Sequence, residues 1–150
     1  MIKIYPPKTT EEKGEFKIAS VFESEGHREE LWFSFPSKFR EYAVTEQLDA
    51  FVVGLLFLGL KTGQDIEVCG KLSARLYYAI NHYLINALCL ANTDYKKIKV
   101  EAHYLSTINL NLREISGTGL SCGVDSFATY YDHLNSKPPF AIEYFTFFNV

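Results

Sequence analysis

The chain carries too little basic charge for a nucleic-acid surface. Its 15 Lys and Arg stand against 18 Asp and Glu, leaving a formal net charge of −3 and a pI near 5.8. No basic footprint for a phosphate backbone is written into that balance. Cysteine is sparse as well. Cys69, Cys89 and Cys122 form an odd number at wide spacing with no C-x-x-C pair, which argues against a disulfide framework and against a zinc knuckle. This usage fits a reducing, cytoplasmic compartment. His27, His82, His103 and His133 lack metal-ligand spacing and read as structural. The longest apolar run, Ala50 to Leu60, is about half the length of a membrane-spanning helix, so it reads as a buried helix with no membrane role. The segment Met1-Ile-Lys-Ile-Tyr-Pro-Pro7 lacks the basic-then-apolar layout of a signal peptide. Repeats and low-complexity tracts are absent from the sequence.

What the chain does have is apolar material. Hydrophobic residues make up 47% of it and charged residues 22%, a mix that can support a real core over one domain, or one domain and part of a second. The 12 Phe and 10 Tyr read as packing before function. Phe16 to Glu23 alternates as a strand, with Glu30 to Phe35 as its partner across a turn at Gly26. A helix is expected from a cap at Thr45, through Leu48 and Val52, to Lys61-Thr-Gly63, where a cation and a glycine suit a helix C-terminus. Asp65 to Cys69 reads as a strand broken at Gly70. Ser73 caps a long helix to about Leu90, with Leu76, Tyr77, Ile80, Leu84, Ala87 and Leu88 as one buried stripe, and Asn92 closes it. Tyr95 to Tyr104 gives a further strand with Ile98, Val100, Ala102 and Tyr104 on one face. Residues 1–105 therefore read as an α+β unit of unassigned role.

After Ser106 the pattern changes. Asn109 to Ile115 leads into Ser116-Gly-Thr-Gly-Leu-Ser-Cys-Gly123, a helix follows from about Val124 to Asn135, and Lys137-Pro-Pro139 forms a loop. Phe140 to Val150 is nearly all apolar, as expected of a strand covered on both faces. Strand, glycine loop, helix and strand make a βαβ unit with the loop at the first strand-to-helix turn. A helix N-terminus presents unpaired N–H groups and a partial positive charge, so such a turn holds anions without basic side chains. Glycine lets successive N–H groups curl into a concave nest, and Ser121 and Ser126 offer hydroxyls to phosphate oxygens. Asp125 sits in the first turn, where a carboxylate is favoured. The order is not a Walker A loop, since no lysine follows Gly123. Gly117-Thr-Gly119 is not a dinucleotide fingerprint either, because the third glycine is misplaced.

Leu120-Ser-Cys-Gly-Val-Asp-Ser126 resembles the S-G-G-x-D-S signature of the PP-loop (N-type) ATP pyrophosphatases, over the last 35 or so residues only. The resemblance implies an adenine nucleotide alpha hydrolase-like α/β domain, with residues 106–150 as its first, incomplete βαβ unit. It implies ATP and Mg²⁺ as ligands. It also implies an AMP-forming reaction on an unassigned small-molecule or macromolecular substrate, with Ser121, Gly123, Val124, Asp125 and Ser126 as the ATP- and pyrophosphate-binding set. The 7-cyano-7-deazaguanine synthase-like branch is the most similar in the loop and the aromatic strand, although the four-cysteine zinc site of such synthases has no counterpart here. Cys122 stands where the family has glycine, a strained choice if the backbone there needs a positive φ. The expectation is the N-terminal part of an adenylating enzyme, truncated and inactive alone. The alternative is a non-catalytic interaction module with a degenerate loop, whose open sheet edge invites homo-oligomers.

Overall fold

In the computed structural model, residues 1–108, 110, 116–137 and 140–147 are described. The chain divides into two compact units, Met1–Asn109 and Leu110–Val150. Both combine strands with helices, and the larger holds a mixed sheet.

The first unit is built on six strands: β1 (Ile2–Ile4), β2 (Lys8–Glu12), β3 (Glu15–Ser24), β4 (His27–Pro36), β5 (Ile66–Ser73) and β6 (Val100–Ser106). The long strand β3 pairs with β4 along its whole length, while β2 and β1 share its other edge end to end, both antiparallel. β1 then runs parallel to β5, and β5 parallel to β6. The expected hairpin is present. Its turn is Glu25–Gly26 with φ 54° and 81°, two positive values in a two-residue loop, as in the type I′ geometry that matches strand twist. Lys13–Gly14, with φ 50° and 82°, repeats the device between β2 and β3. β1 and β2 are strands that the sequence reading passed over. β2 is exposed throughout and three-residue β1 is too short to show alternation, so neither carries the period-2 signal.

Helix α1 (Asp49–Thr62) starts three residues later than a cap at Thr45 implies. Its N-cap is Leu48, which has no side-chain cap; the Leu48 N–H instead donates to the Lys71 carbonyl at 2.9 Å. Gly63 closes the helix as expected, at φ 73°, a conformation that costs a non-glycine residue about 1–2 kcal/mol. Within α1, Gly59 lets the helix approach its neighbours: a Cβ there would lie 2.8 Å from the Ile98 Cδ1 and 3.0 Å from the Gln64 carbonyl. The break at Gly70 is a bulge within β5, not its end, since the register with β6 shifts between Val68 and Lys71 and pairing then resumes to Ser73.

Ser73 caps the next helix, its Oγ accepting from the Leu76 N–H at 3.2 Å. That helix runs as α2 (Ala74–Ala79), a π-helical turn (Ile80–Leu84) and α3 (Ile85–Ala91), and Asn92 caps it. The π turn explains why the expected stripe fails halfway. A wider turn shifts every later residue around the axis, so Leu84 and Ala87 face solvent while Ile85 is buried. The β6 ladder begins at Val100, not Tyr95, and its face ends in an exposed Tyr104.

One face of the sheet is apolar. Ile2, Ile4, Ile18, Phe22, Ile66, Val68 and Val100 join Phe51, Val52, Leu56 and Leu60 of α1, and Ile80 and Ile85, in a single buried cluster. At about 25 cal/mol per Å² of apolar area removed from water, this cluster is the main stabilising term of the unit. Among the described residues, no helix is long and apolar enough to cross a membrane.

In the second unit, β7 (Ser116–Gly119) and β8 (Ile142–Thr146) pair in parallel, with α4 (Val124–His133) between them. Tyr130 of α4 meets Phe145 of β8 edge-on at 5.3 Å. The helix ends two residues before the expected Asn135. The terminal strand is not covered on both faces: Ile142 is half-buried and the next four residues are exposed. The expected readings for 109, 111–115, 138–139 and 148–150 lie outside the described residues.

Candidate functional site

The loop from Leu120 to Ser126 occupies the strand-to-helix turn of the second unit. Its entry is fixed by the Leu120 N–H, which donates to the Thr146 carbonyl of β8 at 3.0 Å, so the pairing of the two parallel strands extends one residue into the loop. Its exit is the first turn of α4. Gly123 is the N-cap, extended at φ −87° and ψ 169°, with no side chain to cap the helix. The first intrahelical bond runs from the Phe127 N–H to the Gly123 carbonyl at 3.2 Å. The N–H groups of Val124, Asp125 and Ser126 precede it and have no intrahelical acceptor.

Between entry and exit, the two serines close on each other. Ser121 and Ser126 share a hydroxyl–hydroxyl bond of 2.9 Å, and the Ser121 N–H donates to the Ser126 Oγ at 3.1 Å. The Gly123 N–H points at the Ser121 Oγ from 3.4 Å. Two hydroxyls and two backbone donors thus gather around one point at a helix N-terminus, on an exposed loop. Asp125 lies in the first turn of α4, and Val124, which opens it, is 85% exposed. The five residues expected to bind phosphate all lie in this one turn, with Cys122 between Ser121 and Gly123.

Cys122 settles the conditional question posed by its position. Its φ is 58°, left-handed, where a side chain costs about 1–2 kcal/mol. Gly123, which follows it, is extended and leads straight into α4. The strain is a specific local outlier, and it sits in the one loop singled out by sequence.

Chemically, the loop can donate hydrogen bonds and can offer one carboxylate, Asp125. Mg²⁺ prefers oxygen donors and keeps several waters, needing only one or two carboxylates beside phosphate oxygens, and Asp125 is the one carboxylate that this loop could offer it. Among the described residues, one group of three metal-ligating side chains forms, and it lies in the first unit: Glu67, Cys69 and His103. The histidine reading, which looked for companions along the sequence, missed it. The usable signal was Glu67-x-Cys69 on a strand, where alternate residues share a face. Comparison with protein-family models and with curated proteins returns no match.

Proposed function

We propose that the second unit binds the phosphates of ATP through Ser121, Gly123, Val124, Asp125 and Ser126, and that it serves an AMP-forming reaction of the PP-loop class. The observation that supports this is the convergence of the Ser121 hydroxyl and the Ser121 N–H on the Ser126 Oγ, at 2.9 and 3.1 Å, at the mouth of a helix between parallel strands. In the absence of an anion these donors satisfy one another. With one, each rotates onto a phosphate oxygen, and the N–H groups at the start of α4 add the helix field. On this reading β7–α4–β8 is a βαβ unit of an adenine nucleotide alpha hydrolase-like sheet.

In such a reaction an oxygen of the substrate attacks the α-phosphorus, and pyrophosphate leaves into the loop. Bound magnesium would screen the phosphate charges. The loop residues themselves bind and orient the leaving group and stabilise the charge that grows on it. On this reading the loop residues bind and position, and the chain by itself is expected to bind nucleotide without turning it over. Calorimetric titration with ATP and Mg²⁺, and separately with pyrophosphate, tests the assignment. Binding that disappears in Asp125→Ala and Ser126→Ala supports it, and a wild-type chain that binds neither ligand sinks it. Release of AMP by this chain alone would refute the claim that the loop only positions.

A second reading is favoured by the surface of the same unit. Phe127, Tyr131, Phe140, Tyr144 and Phe147 are all more than half exposed, a density of exposed aromatic rings that a docking partner could cover. A docking module would bind no nucleotide, so the same titration separates the two.

A further inference from the structure

The face of the first sheet opposite its apolar side carries a compact set of donor atoms. Ile2, Ile4, Ile66, Val68 and Val100 are buried in the core, so by strand alternation the intervening Lys3, Glu67, Cys69 and His103 point the other way. Register brings them together. Lys3 stands beside Glu67 across β1 and β5, and Val68 beside Ala102 across β5 and β6, which places His103 level with Cys69. The result is a carboxylate, a thiol and an imidazole whose ligand atoms all lie within 4.8 Å of one another. Glu67 is already oriented: its Oε1 lies 3.0 Å from the His103 Nε2 and its Oε2 3.2 Å from the Lys3 Nζ.

We propose that Glu67, Cys69 and His103 form a binding site for one divalent cation of the zinc class, with a fourth position open to water. Tetrahedral zinc, with bonds of about 2.0–2.3 Å, holds its donors roughly 3.3–3.8 Å apart. The widest separation allowed by that 4.8 Å limit therefore closes by roughly 1.0–1.5 Å, while Glu67 and His103, at 3.0 Å, are already close enough. The donor set selects the metal. Sulfur and nitrogen beside a single carboxylate suit zinc, cobalt and their neighbours, and disfavour calcium and magnesium, which want oxygen throughout. Hydrogen bonds from His103 and then Lys3 hold the Glu67 carboxyl below its ordinary range, so it is an anion at neutral pH. Burial, with the Glu67 carboxylate beside it, pushes the Cys69 thiol up. The incoming ion releases that proton to solvent and binds the thiolate, as metals do with thiols. Lys3 opposes the ion. Its ammonium repels a cation and occupies one carboxylate oxygen, but the side chain is 40% exposed and can swing into water.

The test uses the whole chain, reduced, with Co²⁺ as a spectroscopic probe and Zn²⁺ in competition against a chromogenic chelator. One equivalent of Co²⁺ should give a thiolate-to-cobalt charge-transfer band that Zn²⁺ abolishes. Cys69→Ser should remove the band, while Cys89→Ser and Cys122→Ser keep it. Glu67→Gln and His103→Ala should weaken affinity at least about tenfold, since even outer-sphere partners of a metal site cost about 10–100-fold. Lys3→Met should tighten binding, because it removes an ammonium that repels the ion and competes for the Glu67 carboxylate. Far-UV circular dichroism verifies that each variant folds. No band at one equivalent, or a band that survives in Cys69→Ser, overturns the site. Its failure would leave the phosphate loop untouched, because the two share no residue.

Discussion

Asn81 is the residue whose replacement should show most clearly how the first unit closes the outer edge of its sheet. It sits in the π turn, half-buried, and its amide clasps the backbone of Val100 from both sides. The Val100 N–H donates to its Oδ1 at 3.0 Å, and its Nδ2 donates to the Val100 carbonyl at 3.0 Å and to the Tyr77 carbonyl at 3.1 Å. The side-chain amide thereby takes the place of a peptide group in a neighbouring strand. Val100 is fully buried, so Asn81→Ala leaves a buried N–H and C=O without this partner. Each such group costs about 1–3 kcal/mol, and water reaching part of the half-buried site lowers the sum to about 2–4 kcal/mol. Against a typical total of about 5–15 kcal/mol that is a large fraction. Asn81→Asp retains the acceptor but turns a carboxylate oxygen toward two carbonyls, so it should cost at least as much. Urea unfolding followed through Trp32, the single tryptophan, which lies on β4, reads this unit directly. The midpoint should fall with the slope unchanged, and the Val100 amide should lose hydrogen-exchange protection. A cost below about 0.5 kcal/mol for Asn81→Ala, the range of an ordinary surface change, would refute the clasp, as would unchanged exchange at Val100.

Three further outcomes follow from the same structure. Ile85→Ala should destabilise by about 2–5 kcal/mol and Leu84→Ala by less than about 1 kcal/mol; equal costs in urea unfolding would mean that the π turn does not redirect the stripe. Cys122→Gly should relieve about 1–2 kcal/mol of left-handed strain, less the 0.5–1 kcal/mol or so of added chain entropy, and should preserve or tighten ATP binding; weaker binding in calorimetry would show that the thiol itself matters. The depressed Glu67 carboxyl contributes stability that is fully present above its ordinary value of 4.5 and is lost as pH falls through its lower folded value. Glu67→Gln should therefore flatten the acid limb of the stability profile below pH 4.5, and an acid limb identical to wild type counts against the contact with His103 and Lys3.

Where the sequence was legible, a single local rule was enough. The β3–β4 hairpin, the Gly63 terminus and the Ser73 cap each depend on residues within a few positions of one another, so alternation, glycine and a capping hydroxyl located them. Thr45 failed as a cap because the start of α1 is held from outside, by the Lys71 carbonyl on Leu48. The stripe after Ile80 failed because period 3.6 cannot anticipate a wider turn. The phosphate loop lies along contiguous chain and could be read directly. The Glu67, Cys69 and His103 group could not, since 36 residues separate Glu67 from His103 and only the parallel pairing of β5 with β6 joins them.

That same parallel pairing fixes the order in which the sheet can be assembled. β1 lies at the chain start, yet its neighbour β5 comes 64 positions later by the match of Ile2 to Ile66, and β6 follows only at Val100. During synthesis the β3–β4 hairpin can form as soon as Pro36 emerges, and β1 can join the free edge of β3, but the other edge of β1 must wait for β5. Non-local pairings of this kind are slow because loop closure precedes any reward. β1 thus gains its second neighbour only once β5 is made, and β5 gains its own only with β6, so mutations in β1 should act on the rate of folding more than their three residues suggest.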